Sequence, residues 1–208
     1  TRQYTNDTID EITQLIFKIL DTIFHLEPNQ YNVWIYEKDN IRECDKSGYQ
    51  SKDGIHMSFP KIKADKELYK LLVEKILEEY ELFNNILLKT CENNPDNKIE
   101  DIIDKSIYQT NWLLYGSRKT GEESRYELTR IISLNSQKQI VDNEIDIYLE
   151  NPICIIKNNS VYQTTVNTQY TEISEQYLKT KNLNNNINIS FMDLDMEDGN
   201  NFISNLQE

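Results

Sequence analysis

Between Ile9 and Ile23, seven aliphatic side chains (Ile9, Ile12, Leu15, Ile16, Ile19, Leu20 and Ile23) recur at the spacing that gathers them on one side of an α-helix. A helix with so continuous an apolar stripe has to lay it against another element. The next candidate is YNVWIYEK (residues 31–38), which is rich in β-branched and aromatic residues and alternates as a strand does. GIHMSF and YELTRIISL have the same character farther on. Thr5, Asn6 or Asp7 can cap the helix, acids fill its first turn, and Pro28 stands just past its end. His25 is expected in its last turn, where a cation suits the helix dipole. Helices interleaved with hairpin-like strands predict an α+β fold with a mixed or antiparallel sheet rather than a helical bundle. The strands at 31–38 and 54–59 are expected to pair in one sheet, with the first helix on its face.

After Pro60, ADKELYKLLVEKILEEYELFNNILLKTCE reads as one long amphipathic helix, broken by ENNPDN. Beyond Ser136 the patterning weakens, EIDIYLENPICIIK being a further strand candidate. NLNNNINISFMDLDMEDGNN is acidic and Asn-rich and is expected to be a flexible tail. The chain thus divides into residues 1–135 as the core, 136–182 as an extension and 183–208 as the tail. The absence of an initiator methionine and of an apolar signal region at Thr1 leads us to expect a piece of a longer protein.

Cys44, Cys91 and Cys154 are widely separated, odd in number and without CxxC spacing, which argues against a disulfide framework or a zinc knuckle. No stretch is apolar for long enough to span a bilayer, so no membrane partner is expected. A net charge of −13 disfavours non-specific adhesion to nucleic acid or anionic lipid, although a local basic cleft remains compatible with it.

Four features have chemical potential. KDGIHMSFP carries one of only two histidines, His56, in a strand-like run four residues after Lys52. It reads either as a core imidazole satisfied by a backbone carbonyl or as one aimed, with Lys52, at an anionic ligand. Asp104 follows the apolar pair Ile102 and Ile103. GSRKTG (residues 116–121) offers backbone amides, a hydroxyl and two cations, as phosphate-binding turns do, but without Walker-loop spacing. Asp193 and Asp195 would share a strand face and a divalent metal, or belong to a solvated acidic tail. No HExxH, GxGxxG or Ser-His-Asp set is present.

Taken in order, KDGIHMSFP and IIDKSIYQTNWLLYGSRKTG resemble the second and third motifs of the archaeo-eukaryotic primase (AEP) superfamily. The likeness is to the primase part of primase–helicase proteins of large nucleocytoplasmic DNA viruses, with cellular primase–polymerase a more distant relative. TRQYTNDTIDEI and VWIYEK fit the helix and strand between the family's first and second motifs, so the likeness covers roughly residues 1–134.

The resemblance implies an AEP-like catalytic core with an RRM-like sheet, incomplete at its N-terminus. It assigns Asp104 to metal binding and catalysis, and His56 and Lys52 to the triphosphate of an incoming nucleotide. Gly54 stands where many relatives have serine, and Ser117, Arg118 and Lys119 would lie by the same phosphates. The implied activity is phosphodiester synthesis from NTPs or dNTPs on a single-stranded DNA template with Mg²⁺ or Mn²⁺. A helicase domain in the same parent chain and a host-cytoplasm or viral-factory location are implied by resemblance alone. The family's first motif, two acids separated by one residue, would lie before Thr1, so activity is expected of a longer parent protein. The alternative is a non-catalytic nucleic-acid or replisome interaction module that keeps the fold.

Overall fold

The computed structural model describes residues 2, 4–43, 51–79, 81–82, 85–86, 102–106, 124–145, 164–173 and 175. Helix α1 is Asn6–Ile23. Its N-cap, Thr5, accepts from the Thr8 amide while Thr8 Oγ1 accepts from the Thr5 amide, so both ends of a capping box are threonines. Strand β1 is Phe24–His25 and β2 is Asn32–Lys38. Short strands β3 (Arg42–Glu43) and β4 (Ser51–Lys52) pair with each other. Strand β5 is Ile55–Ser58, helix α2 is Lys66–Glu78, and β6 is Tyr126–Leu134. β7 (Ile140–Asn143) and β8 (Thr165–Val166) follow.

The main sheet has the order β5-β2-β6-β7 with every pair antiparallel. The architecture is α+β, and the two strands expected to pair do so. In β2 every residue except Tyr36 is buried, as befits a strand with neighbours on both sides and side chains covered on both faces. Val33 and Ile35 join Ile132 and Leu134 of β6 in one core with Ile9, Ile16, Phe17, Leu20 and Ile23 of α1 and Leu68, Leu72 and Ile76 of α2. The stripe on α1 therefore finds the sheet face its periodicity demanded.

Two boundaries differ from expectation. α1 closes at Ile23, because Phe24 turns extended while its amide still donates to Leu20 O. His25 therefore pairs with Thr165 in a small second sheet instead of ending the helix. α2 closes at Glu78, and after a turn at Glu79 the chain is helical again at residues 81–82 and 85–86, while the rest of the expected helix, residues 87–92, lies outside the described residues. Glu78, Glu79 and Glu81 crowd the negative end of its dipole, where acids are disfavoured.

Candidate functional site

Lys52 and His56 do not lie on one continuous strand. Lys52 ends β4, opposite Arg42, whereas β5 begins at Ile55 and pairs with β2. The break is local chemistry: the Gly54 amide donates to the Asp53 side chain at 2.8 Å, and Gly54 O accepts from the Lys38 amide at 3.3 Å. The period-two argument that would put both side chains on one face does not carry across this turn. The Lys52 side chain lies outside the described residues.

His56 stands opposite Tyr36 in β2. Its neighbours Ile55 and Met57 pack against the helix-side core, so alternation turns His56 to the other face of the sheet. There the Tyr126 ring lies almost parallel to the imidazole, with centroids 3.7 Å apart and planes 16° from each other. Tyr126 is opposite Lys38 in the β2–β6 register, so the stack bridges across β2 from one flanking strand to the other. Lys38 is only 6% exposed, and its Nζ sits 5.7 Å from the Tyr126 centroid, within cation–π reach. The site thus combines an imidazole, a phenol ring and an ammonium on one sheet face.

On the helix side, the same end of β2 is clamped by a polar cluster. Glu37 receives Arg2 at 2.7 Å and the Tyr4 hydroxyl at 2.9 Å, and Thr129 donates to its other oxygen. Arg2 also reaches Asp53 at 3.8 Å. Burial, followed by the hydrogen bond to Glu37, pushes the Tyr4 phenol above its ordinary pKa. Arg2 and Tyr4 thereby tie the chain preceding α1 to the turn that carries Gly54.

Asp104 lies elsewhere, on an exposed turn beside Tyr69 of α2. Its Oδ1 accepts from the Ser106 amide at 2.8 Å and from Ser106 Oγ at 2.6 Å. Ligating carboxylates are commonly oriented by such second hydrogen bonds, and an exposed carboxylate oxygen is a suitable donor for a hard divalent cation. Such a cation takes about six oxygen ligands, and among the described residues no three His, Cys, Asp or Glu side chains stand together. Asp104 therefore fits as one ligand of a metal, and the described residues do not by themselves complete a site. A cleft of about 260 Å³ opens between β5 and α2, lined by Met57, Ser58, Phe59, Leu68, Tyr69 and Leu72 among others. Its walls are mostly apolar, which suits packing better than a triphosphate.

Burial, helped by the charge of Asp104, pushes the Tyr69 phenol up to about 12 from an ordinary 10. With the folded value above the unfolded one, this contribution to stability is intact below pH 10 and is lost as pH rises towards 12. Tyr69→Phe is expected to remove that loss, about 2 kcal/mol across the window. Urea unfolding at a series of alkaline pH values checks it, and parallel losses in the two proteins would contradict a buried phenol.

Ser117, Arg118 and Lys119 lie outside the described residues, as do Asp193, Asp195 and the three cysteines. Sequence reasoning had singled out neither Tyr126 nor Lys38. Each was legible only as an aromatic or cation at the end of an alternating strand, and their meeting depends on strand order.

A family model described as "C962R protein N-terminal AEP domain" matches residues 1–132. The protein named "Putative helicase L207/L206" of Acanthamoeba polyphaga mimivirus is 30% identical over 129 residues, which are 60% of this chain and 12% of that relative. The chain thus spans about an eighth of the length of the curated relative it matches. No solved structure matches it. Among the described residues no helix is long and apolar enough to cross a membrane.

Proposed function

Because the chain belongs to this N-terminal AEP domain family, we propose that it is the nucleotide-handling part of a primase or primase–polymerase. It would form phosphodiester bonds from NTPs or dNTPs on a single-stranded DNA template, in a parent chain that also carries a helicase. The observation that carries this reading is the placement of His56. It lies on the sheet face away from the helices, with its ring plane fixed by Tyr126 and the Lys38 ammonium beside the stack.

In this reading His56 donates a hydrogen bond to a phosphate oxygen of the incoming nucleotide, and Lys38 adds positive potential to the same face. Lys52, Ser117, Arg118 and Lys119 are the further phosphate contacts that the family resemblance suggests, with Gly54 at the position beside them where many relatives have serine. Asp104 would be one ligand of Mg²⁺ or Mn²⁺. Bound there, such an ion neutralises triphosphate charge and stabilises the leaving pyrophosphate. The cations of the chain work by the same rule: charge developing on phosphate oxygens is met by donors already in place.

His56→Ala is expected to weaken binding of ATP or dATP about tenfold, the value of one hydrogen bond to a charged oxygen. Circular dichroism should show the fold unchanged, since the imidazole is not part of the helix-side core. Titration calorimetry of the two proteins measures the difference, and equal affinities would remove His56 from the nucleotide site.

A further inference from the structure

We propose that Tyr126 is a positioning residue for His56, and that Gly54 is glycine because the Tyr126 hydroxyl occupies the space a side chain there would need. A Cβ built on Gly54 would stand 2.6 Å from the Tyr126 hydroxyl oxygen, closer than real contacts allow. The same Cβ would stand 3.5 Å from Cζ and 3.6 Å from Cε1, which are ordinary contacts. The conflict is therefore with one atom, the hydroxyl, and not with the ring.

The ring lies flat against His56 at 3.7 Å and 16°. A face-to-face stack fixes the plane of the imidazole, and with it the directions in which the ring nitrogens point. Backbone reinforces the arrangement, since Gly54 O accepts from the amide of Lys38 and Lys38 is the register partner of Tyr126. Gly54 in the turn leading into β5, Lys38 of β2 and Tyr126 of β6 thus form three consecutive links, ending on the His56 ring. A side chain at position 54 would push the phenol off its seat, and the imidazole would lose the surface that sets its plane.

The consequence for nucleotide binding rests on the proposed role of His56 at the phosphates, while the positioning claim itself does not. Both can be read separately in the 208-residue chain. The imidazole protons of His56 should resonate upfield, shifted by the Tyr126 ring current, with the exposed His25 as an internal reference. Tyr126→Phe should keep the upfield position, and Tyr126→Leu should lose it. Gly54→Ala should also lose it, and should weaken ATP and dATP binding about tenfold, as expected when one charge-assisted contact is misdirected.

The decisive protein is Gly54→Ala combined with Tyr126→Phe. Without the hydroxyl the new methyl has room, so the upfield signal should return, and affinity should recover to that of Tyr126→Phe alone. An unmoved His56 signal in Gly54→Ala, or no recovery in the double variant, would overturn the positioning role. Recovery of the signal with nucleotide affinity unchanged throughout would uphold the positioning of His56 and overturn its assignment to the phosphates.

Discussion

Phe17→Ala is expected to lower the unfolding free energy by about 3–5 kcal/mol, the cost of emptying a large aromatic site in a core. Phe17 is 1% exposed and lies at the centre of α1's buried face. Its ring meets Tyr31 at 5.4 Å and Phe59 edge-on at 5.3 Å and 87°. Those two partners flank the start of β2 and the end of β5, so one side chain holds the helix to two of the three strands of the candidate site. Aromatic pairs of this geometry add about 0.5–1.5 kcal/mol to the burial itself. Single domains are stable by about 5–15 kcal/mol, so the variant should lose about a fifth or more of its margin. Urea denaturation gives the number. A change below about 0.5 kcal/mol, the ordinary range for surface substitutions, would show that the ring is not central to the core.

The second large effect concerns Asp104. Asn keeps an oxygen able to accept from the Ser106 amide and hydroxyl, so Asp104→Asn should preserve the turn and change only the charge. Because the residue is exposed, stability should move by no more than about 0.5 kcal/mol. Primer extension by the full-length parent, assayed with Mg²⁺ and with Mn²⁺, is expected to fall about a hundredfold or more, which corresponds to several kcal/mol of charge stabilisation. Full extension by the Asn protein would withdraw Asp104 from the reaction. A drop in activity accompanied by an equal drop in unfolding free energy would assign it a structural role instead.

The parts of the fold governed by short-range pattern could be read in the sequence. Alternation located β2, β5 and β6, and the apolar stripe of α1 implied the sheet face it covers. What pattern could not supply was anything set by pairing across distance. Residues 52–58 read as one extended run because their side-chain types are continuous, yet the Asp53–Gly54 turn divides them between two sheets. His25 followed the periodicity of α1, but its backbone is claimed by Thr165, far along the chain. At the site, the sequence singled out His56 and Gly54 and was silent on Tyr126, because seventy residues separate the imidazole from the ring that flattens it. A stack between flanking strands is written in strand order, not in any local motif.

The pairing of β1 with β8 bears on where this protein can be cut. Asn167 sends its side-chain amide to the carbonyls of Asp21 and Thr22 and its backbone N–H to that of Ile23. Thr164 Oγ1 accepts from the Lys63 amide at 2.8 Å and from the Gln30 side chain at 3.4 Å. Residues 164–167 thus act as a clasp over the C-terminal end of the first helix, satisfying carbonyls that a helix end leaves without partners. The stretch recognisable by ancestry ends at residue 132, but the unit that closes on itself extends past it. A chain trimmed to the ancestral limit would lose β7 from the sheet edge and leave α1 with bare carbonyls, so evolutionary and mechanical boundaries do not coincide here.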